Sequence, residues 1–397
     1  MYHRAIVAYH LHYMSTRNSD VDLELASLFI HGSCCGLESV TRYMGIFRNK
    51  MYTPEPQFYN AWGEPEIAEI IRAAAYHRRE FDLAVVQISP SPVEEDLRNS
   101  LAWPLLPVRE GLESLGSLET LPVEILHMIC DFLDIQATFH FREVNYRAWR
   151  LLNSLRLYQD IIIYAPRTLC AMLRTQIASW YTLRDLYTAL CTEKCTVCMS
   201  RFGGFLFMPT CTRCCFVCIQ AATQFQVSAF ANAKKHRNIS CKSMPTLRTI
   251  PGIYSMDEVS RKRRIKVVAI QPLLEASGRL PKHVPSPTLR FMAATTLGYL
   301  DKRSGEVQNG VSCKGCKITF EKALRNRHSL STPRATLAMV SGRDEVYSRD
   351  GFLDHFHSCP EAQMLWKSSM ERSPIKEPEF ALLRQLLPEI KRYHVLS

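Results

Sequence analysis

Residues 121–134 read Leu121-Pro122-Val123-Glu124-Ile125-Leu126-His127-Met128-Ile129-Cys130-Asp131-Phe132-Leu133-Asp134, and this stretch decides the fold. Leu121, Ile125, Ile129 and Phe132, with Leu126 and Leu133, recur at helical spacing and make one broad apolar stripe. Pro122 suits a first helical turn, where its missing N–H has no partner to lose. Glu124 falls in the same turn, where the helix dipole favours negative charge. Asp134 marks the stop. Phe139, Phe141, Val144, Ala148, Trp149 and Leu152 continue the apolar pattern through one or two more short helices. On periodicity alone this is a small helical bundle that buries each of these side chains.

Outward from this module the chain is too long for one ordinary core. Its 397 residues, 47% hydrophobic and 22% charged, predict a folded protein of two or three units. Residues 1–88 form a poorly defined N-terminal region, in which Ile67, Ile70, Ile71 and Ala74 predict a helix over 64–79. Leu83 to Val86 read as a short strand or as more of that helix. Ser89-Pro90-Ser91-Pro92 opens a linker, 89–116, because proline disfavours helix at its own position and just before it. The helical module occupies 117–160, and a helical, cysteine-rich region 161–370. In the latter, 221–236 reads as a helix and 263–270 as a strand. The apolar face Phe380, Leu383, Leu386, Leu387 and Ile390 predicts a terminal helix within 371–397. No 20–50-residue repeat is visible.

No stretch reaches the roughly 18 apolar residues of a membrane span. His3, Arg4, His10 and His12 interrupt any apolar run at the start, so no signal peptide is expected there. An intracellular protein, in cytoplasm or nucleus, keeps its thiols reduced. Fifteen cysteines in such a chain then point to metal. The net charge of +11 includes one dense run, Arg261-Lys262-Arg263-Arg264-Ile265-Lys266, read as a solvated loop or a nuclear import signal.

Cys195-x-x-Cys198 is followed by Cys211, Cys214, Cys215 and Cys218. Gly203-Gly204, between the clusters, predicts a hairpin turn that brings them together. A tetrahedral thiolate site needs four of these six sulfurs. Cys195 and Cys198 pair with either Cys215 and Cys218 or the rival Cys211 and Cys214, both spaced as knuckles. Farther on, Cys313-Lys314-Gly315-Cys316 is a second knuckle. If 352–359 is helical, His355 and Cys359 share a face, whereas His357 points elsewhere. Cys313, Cys316, His355 and Cys359 therefore make a second ligand set. With four protein ligands, each site is closed and structural.

The string at 121–134, followed by Val144-Asn145 and Trp149-Arg150-Leu151, resembles an F-box. Phe139 and Phe141 stand where smaller aliphatics are commoner in that family. The resemblance extends to fungal F-box proteins with a cysteine-rich, zinc-binding C-terminal region. It is carried by Phe202-Gly203-Gly204-Phe205-Leu206 ahead of Cys-x-x-Cys, by Tyr181 to Tyr187, by Pro251-Gly252-Ile253-Tyr254-Ser255, and by Ala362, Leu365 and Trp366. It covers about 117–370. In those proteins the position of Cys214 is often apolar, which favours Cys215 and Cys218 in the first site. The resemblance implies a mainly α protein: a three-helix F-box, then an α-rich region with a short β-hairpin and small zinc-stabilised elements. Leu121, Pro122, Ile125, Leu126 and Leu133 would contact a Skp-type adaptor and, through it, a cullin.

The expected function is a non-catalytic substrate receptor of a cullin-RING ubiquitin ligase, holding two structural zinc ions and an unidentified target protein. The alternatives are a zinc-containing nucleic-acid binder, suggested by the charge and the knuckles, and an F-box scaffold acting outside a ligase. No Gly-x-x-x-x-Gly-Lys, Gly-x-Gly-x-x-Gly, Gly-x-Ser-x-Gly or His-Glu-x-x-His motif is present. No His-x-Glu precedes a Pro-Cys-x-x-Cys, so a deaminase is excluded as well.

Overall fold

A computed structural model describes residues 64–88, 114–233, 244–271, 286–325 and 342–370. The described chain is mainly helical with small antiparallel sheets. Among these residues no helix is long and apolar enough to cross a membrane.

The chain enters through α1 (Glu64–Ala74), strand β1 (Ala75–Tyr76) and α2 (Arg79–Leu83). The module comprises α3 (Val123–Phe132), α4 (Ile135–Arg142) and α5 (Tyr146–Asn153). Pro122 is the N-cap of α3, one position before the first turn where the sequence suggested it. Its carbonyl accepts from the N–H groups of Ile125 and Leu126 at 3.0 and 3.2 Å. Asp134, which reads as a stop, also starts the next helix: its Oδ1 accepts from the Ala137 N–H at 2.7 Å. Asn145 caps α5 in the same way, accepting from Ala148 at 2.8 Å. Inside the module Leu126, Cys130, Leu151 and Leu152 are buried together, with Leu121 and Phe141 packed at their margin.

The module is continuous with the helices that come after it. From α4, Ile135 and Phe139 are buried in the main core beside Tyr158 and Ile161 of α6 (Arg156–Tyr164). Phe139 tilts against Tyr158 at a ring distance of 6.1 Å. The Ile135 N–H donates to the Tyr181 carbonyl at 2.8 Å. Next come α7 (Pro166–Arg174) and α8 (Leu183–Leu190). A capping box fixes the start of α8: Thr182 Oγ1 accepts from the Asp185 N–H, and Asp185 Oδ2 from the Thr182 N–H.

Strands β2 (Phe205–Phe207), β3 (Thr212–Cys214) and β9 (Ala294–Thr296) form one sheet in the order β3-β2-β9. Phe205 lies opposite Cys214 on one side and Thr296 on the other. Strands β4 (Val227–Ala229), β5 (Thr246–Arg248) and β8 (Lys266–Ala269) form a second, in the order β4-β8-β5. Hairpins β6–β7 (Gly252–Tyr254, Val259–Arg261) and β10–β11 (Tyr299–Leu300, Val307–Gln308) stand beside them. Helix α9 (Phe216–Ala221) comes directly after β3. The last body holds β12 (Ser312–Cys313), α10 (Lys314–Arg325), α11 (Arg349–Ser358) and α12 (Pro360–Met370).

Several expectations need correction. Residues 64–88, which the sequence places in a poorly defined N-terminal region, pack into these cores. Ile67, Ile70 and Ala74 are buried against Phe352, Leu353 and Phe356, and β1 pairs with β12. Phe81 stacks on Phe216 at 3.8 Å, and Val86 bridges to Thr295. The helix expected over 64–79 ends at Ala74, and of 83–86 only Leu83 is helical, closing the separate short helix, while Val86 forms an isolated bridge. The helix expected over 221–236 is interrupted by β4, because Val227 is buried in the sheet core. The strand within 263–270 is present as β8. The helix expected in 371–397 and most of the 89–116 linker lie outside the described residues.

Gly203-Gly204 is not the hairpin turn. The β2–β3 connection is Met208–Thr210 followed by Cys211, whose backbone is left-handed at φ 49°. Neither Gly203 nor Gly204 has positive φ. Gly203 is needed for space: a Cβ there would lie 2.7 Å from Cγ of Arg213. That arginine is buried, donating to the carbonyls of Ala189 and Gly298 at 2.9 Å and of Leu297 at 3.0 Å. Its burial lowers the guanidinium pKa to about 9.

Candidate metal centres and an uncovered helix face

Two clusters of metal-ligating side chains exist among the described residues. Cys195, Cys198, Cys215 and Cys218 bring their four sulfurs within 4.8 Å of one another, and so do the ligand atoms of Cys313, Cys316, His355 and Cys359. The second set is the one that the spacing singled out; in the first, where spacing left two pairs open, the cluster contains Cys215 and Cys218 and not Cys211 and Cys214. Tetrahedral coordination with metal–sulfur bonds of about 2.3 Å puts sulfurs about 3.8 Å apart. Cys198 and Cys215 are 3.9 Å apart, and Cys313 and Cys359 are 3.7 Å apart. These spacings are far from the ~2.05 Å of a disulfide.

Local backbone geometry explains how each knuckle holds its sulfurs. In the first, Cys195 donates its N–H to the Arg201 carbonyl at 2.8 Å, and Met199 turns the chain with φ 55°. In the second half of the site, Cys215 caps α9 and its Sγ accepts from the Cys218 N–H at 3.4 Å. The other centre repeats this motif: Cys313 Sγ accepts from the Cys316 N–H at 3.4 Å. Amide donors aimed at sulfur favour the thiolate over the thiol. Helix α11 brings His355 to Cys316, with Nε2 3.2 Å from its sulfur, and ends so that Cys359 is the C-cap. The His355 ring stacks on Tyr347 at 4.7 Å. His357 is exposed and outside the set.

Crowded thiols share protons unequally. Hydrogen bonds from Cys195, Cys215 and Cys218 hold Cys198 well below its usual range, whereas bonds to Cys195, Cys198 and Cys218 push Cys215 up. In the second centre, hydrogen bonds from Cys313 and Cys316 hold Cys359 down. Burial disfavours the charged His355 ring, but bonds to Cys313 and Cys359 outweigh it and raise the pKa to about 9. Each cluster thus favours the thiolate on some of its sulfurs and the thiol on others: Cys195, Cys198 and Cys359 are lowered, Cys215, Cys218 and Cys316 raised.

The alternates are placed elsewhere. Cys214 is buried with its Sγ 3.6 Å from the Phe205 carbonyl, and burial pushes its thiol up. Cys211 is buried in the left-handed corner, and burial raises its thiol too. Neither joins the cluster.

Sequence reasoning missed Glu345. It meets Arg201, from the first knuckle loop, at 2.6 Å, and its own carbonyl accepts from Ser312 Oγ beside Cys313 at 2.7 Å. This pair ties the two centres together. No sequence spacing connects positions 201 and 345.

The third feature is α3. Pro122 is exposed, Leu121 and Leu133 half-buried, and Leu126 buried in the module core. Ile125 (40% exposed), Met128 (56%), Ile129 (39%) and Phe132 (78%) lie three or four residues apart on one face. The stripe read as core is therefore largely uncovered. Leu126, one of the expected adaptor contacts, is buried against Leu151 and Leu152. Met128 belongs on the face and was legible from its spacing.

No family model, curated protein or solved structure matches the chain.

Proposed function

We propose that this chain is an F-box-type substrate receptor: it binds a Skp-type adaptor, and through it a cullin-RING ubiquitin ligase, and presents a target protein. The uncovered face Ile125, Met128, Ile129 and Phe132 carries the reading. Soluble proteins seldom leave a row of large apolar side chains along one helix without a partner, and interfaces concentrate their energy in such anchors. Pro122, exposed at the helix start, and Leu121 beside it extend the face. The other side of the module, through Ile135 and Phe139, packs into the main core, whereas this face stays outward.

The metal in both centres is zinc under this reading. Four cysteines in one centre, and three cysteines with a histidine in the other, are ligand sets that suit zinc. With four protein ligands no position remains for water or substrate. The role is structural, and the chain itself performs no catalysis. Such a site contributes roughly 10–16 kcal/mol of apparent binding energy to folding.

Co-purification with a Skp-type adaptor tests the reading. Wild type is expected to retain the adaptor and the double variant Leu121→Ala, Pro122→Ala to lose it. Absence of wild-type binding, or equal retention by the variant, defeats the proposal. Elemental analysis should find two zinc ions per chain.

A further inference from the structure

Strands β5 and β8, then β6 and β7, form a single interrupted antiparallel ribbon. Arg248 lies opposite Lys266, and Gly252 opposite Arg261. Between these pairs one side supplies Thr249–Pro251 and the other the longer Lys262–Ile265, so the basic run bulges outward. Arg248, Lys262, Arg263, Arg264 and Lys266 are all exposed. Among the described residues none of the five forms an ion pair, and like charges face each other directly at Arg248 and Lys266. A cross-strand pair of like charge destabilises a sheet unless something compensates it.

Two further observations define what would compensate it. Among the described residues β6 and β7 pair only with each other, which leaves an outer edge on each that another strand could join. Ile253 and Ile265 are exposed on this surface at 59% and 37%. An extended chain with alternating acidic and apolar residues satisfies all three features: backbone to the edge, carboxylates to the bulge, apolar side chains to the isoleucines. Nucleic acid fits less well. The only aromatic ring in 246–269 is Tyr254, which is buried, so no ring is offered for base stacking.

We propose that this ribbon docks an acidic, extended polypeptide segment. That the segment belongs to a ligase target rests on the receptor reading; the surface itself does not.

The experiment uses the full chain loaded with zinc and a fluorescein-labelled peptide of alternating glutamate and valine, followed by anisotropy. The variant is Arg263→Glu, Arg264→Glu, Lys266→Glu, at exposed positions, checked by zinc content and circular dichroism. Wild type is expected to bind the peptide, to ignore an alternating lysine–valine peptide, and to bind at least about tenfold more tightly than the variant. Absence of wild-type binding overturns the proposal, as does equal binding by a folded variant. Displacement of the peptide by an equal concentration of single-stranded or duplex DNA also overturns it, in favour of nucleic acid. Adaptor capture is measured on the same samples. A chain that holds peptide but not adaptor keeps the surface and loses the receptor reading; one that holds adaptor but not peptide does the reverse.

Discussion

Phe132→Ala and Leu126→Ala test the proposed docking face of α3 against its packing face. Phe132 is 78% exposed and Leu126 is 6% exposed. An aromatic side chain buries about 150–250 Å² when covered. At about 25 cal/mol per Å², covering the exposed four-fifths of Phe132 yields about 3–5 kcal/mol as a ceiling. A contact that captures half of this gives about 2 kcal/mol, or roughly thirtyfold in Kd. The buried fifth, by the same arithmetic, contributes only about 1 kcal/mol to folding. Leu126→Ala leaves a cavity against Leu152 and should cost about 2–5 kcal/mol of stability. Titration calorimetry against a Skp-type adaptor and urea unfolding read the two quantities. Phe132→Ala should lose affinity with little change in unfolding midpoint. Leu126→Ala should shift the midpoint strongly yet, once the folded fraction is accounted for, weaken binding less than about threefold. Unchanged affinity in Phe132→Ala would refute the assignment of this face. Equal losses of affinity in both variants would show that the module responds as a whole, and would refute the division between its faces.

Three other outcomes are expected. Cys215→Ser should halve the zinc content measured by elemental analysis, whereas Cys214→Ser, outside the cluster, should leave it unchanged. Gly315→Ala should selectively empty the second centre and lower the thermal midpoint, because the added Cβ would lie 2.5 Å from the Ala362 backbone nitrogen at the start of α12. Burial would raise the Asp344 carboxyl, but Arg343 at 2.7 Å and Arg78 at 2.9 Å outweigh it and hold it below its ordinary value. A depressed acid stabilises the fold above its unfolded pKa, so Asp344→Asn should cost about 1–3 kcal/mol at neutral pH. That deficit should shrink as pH falls below about 4, through the native pKa; a constant difference in urea unfolding from neutral pH down to about pH 3 would contradict the assignment.

The ligand sets were legible because knuckle spacing is a local chemical constraint. Two residues between cysteines place both sulfurs on one turn, and the fold has only to bring two such turns together. The choice between Cys214 and Cys215 was not local. It depends on β3, where Cys214 turns into the sheet core while the next residue leaves the strand to cap α9. The reading of Gly203-Gly204 failed for an instructive reason. Glycine signals either an unusual backbone angle or a lack of space, and the sequence does not say which. Here Arg213 takes the space, and its partners at Ala189, Leu297 and Gly298 come from remote segments. The place of residues 64–88 was hidden similarly. Periodicity shows that Ile67 and Ile70 have a buried face, but not that Phe352 and Phe356, far along the chain, cover it.

Periodicity also cannot distinguish an apolar face that meets its own chain from one that awaits another. On α3 the structure separates a covered face from an uncovered one: Leu126 and Cys130 turn inward, while Ile125, Met128, Ile129 and Phe132 do not. The attachment of the module sharpens the consequence. Asp131 of α3 pairs with Arg184 of α8 at 2.5 Å, and Asp134 bridges to Thr182 beside it. Burial of Ile135 and Phe139 in the main core adds an apolar seam to these polar ties. A flexible tether would let the target region sample many directions. This joint, with backbone hydrogen bonds and shared core, gives the uncovered face a defined orientation relative to the first metal centre. If the face holds an adaptor, whatever binds the metal-supported region is held in a defined direction too. Weakening the joint without touching either end, as Arg184→Ala would, should then lower ubiquitin transfer to a bound target more than it lowers adaptor affinity. Equal reductions would mean that the Asp131–Arg184 pair has no positioning role.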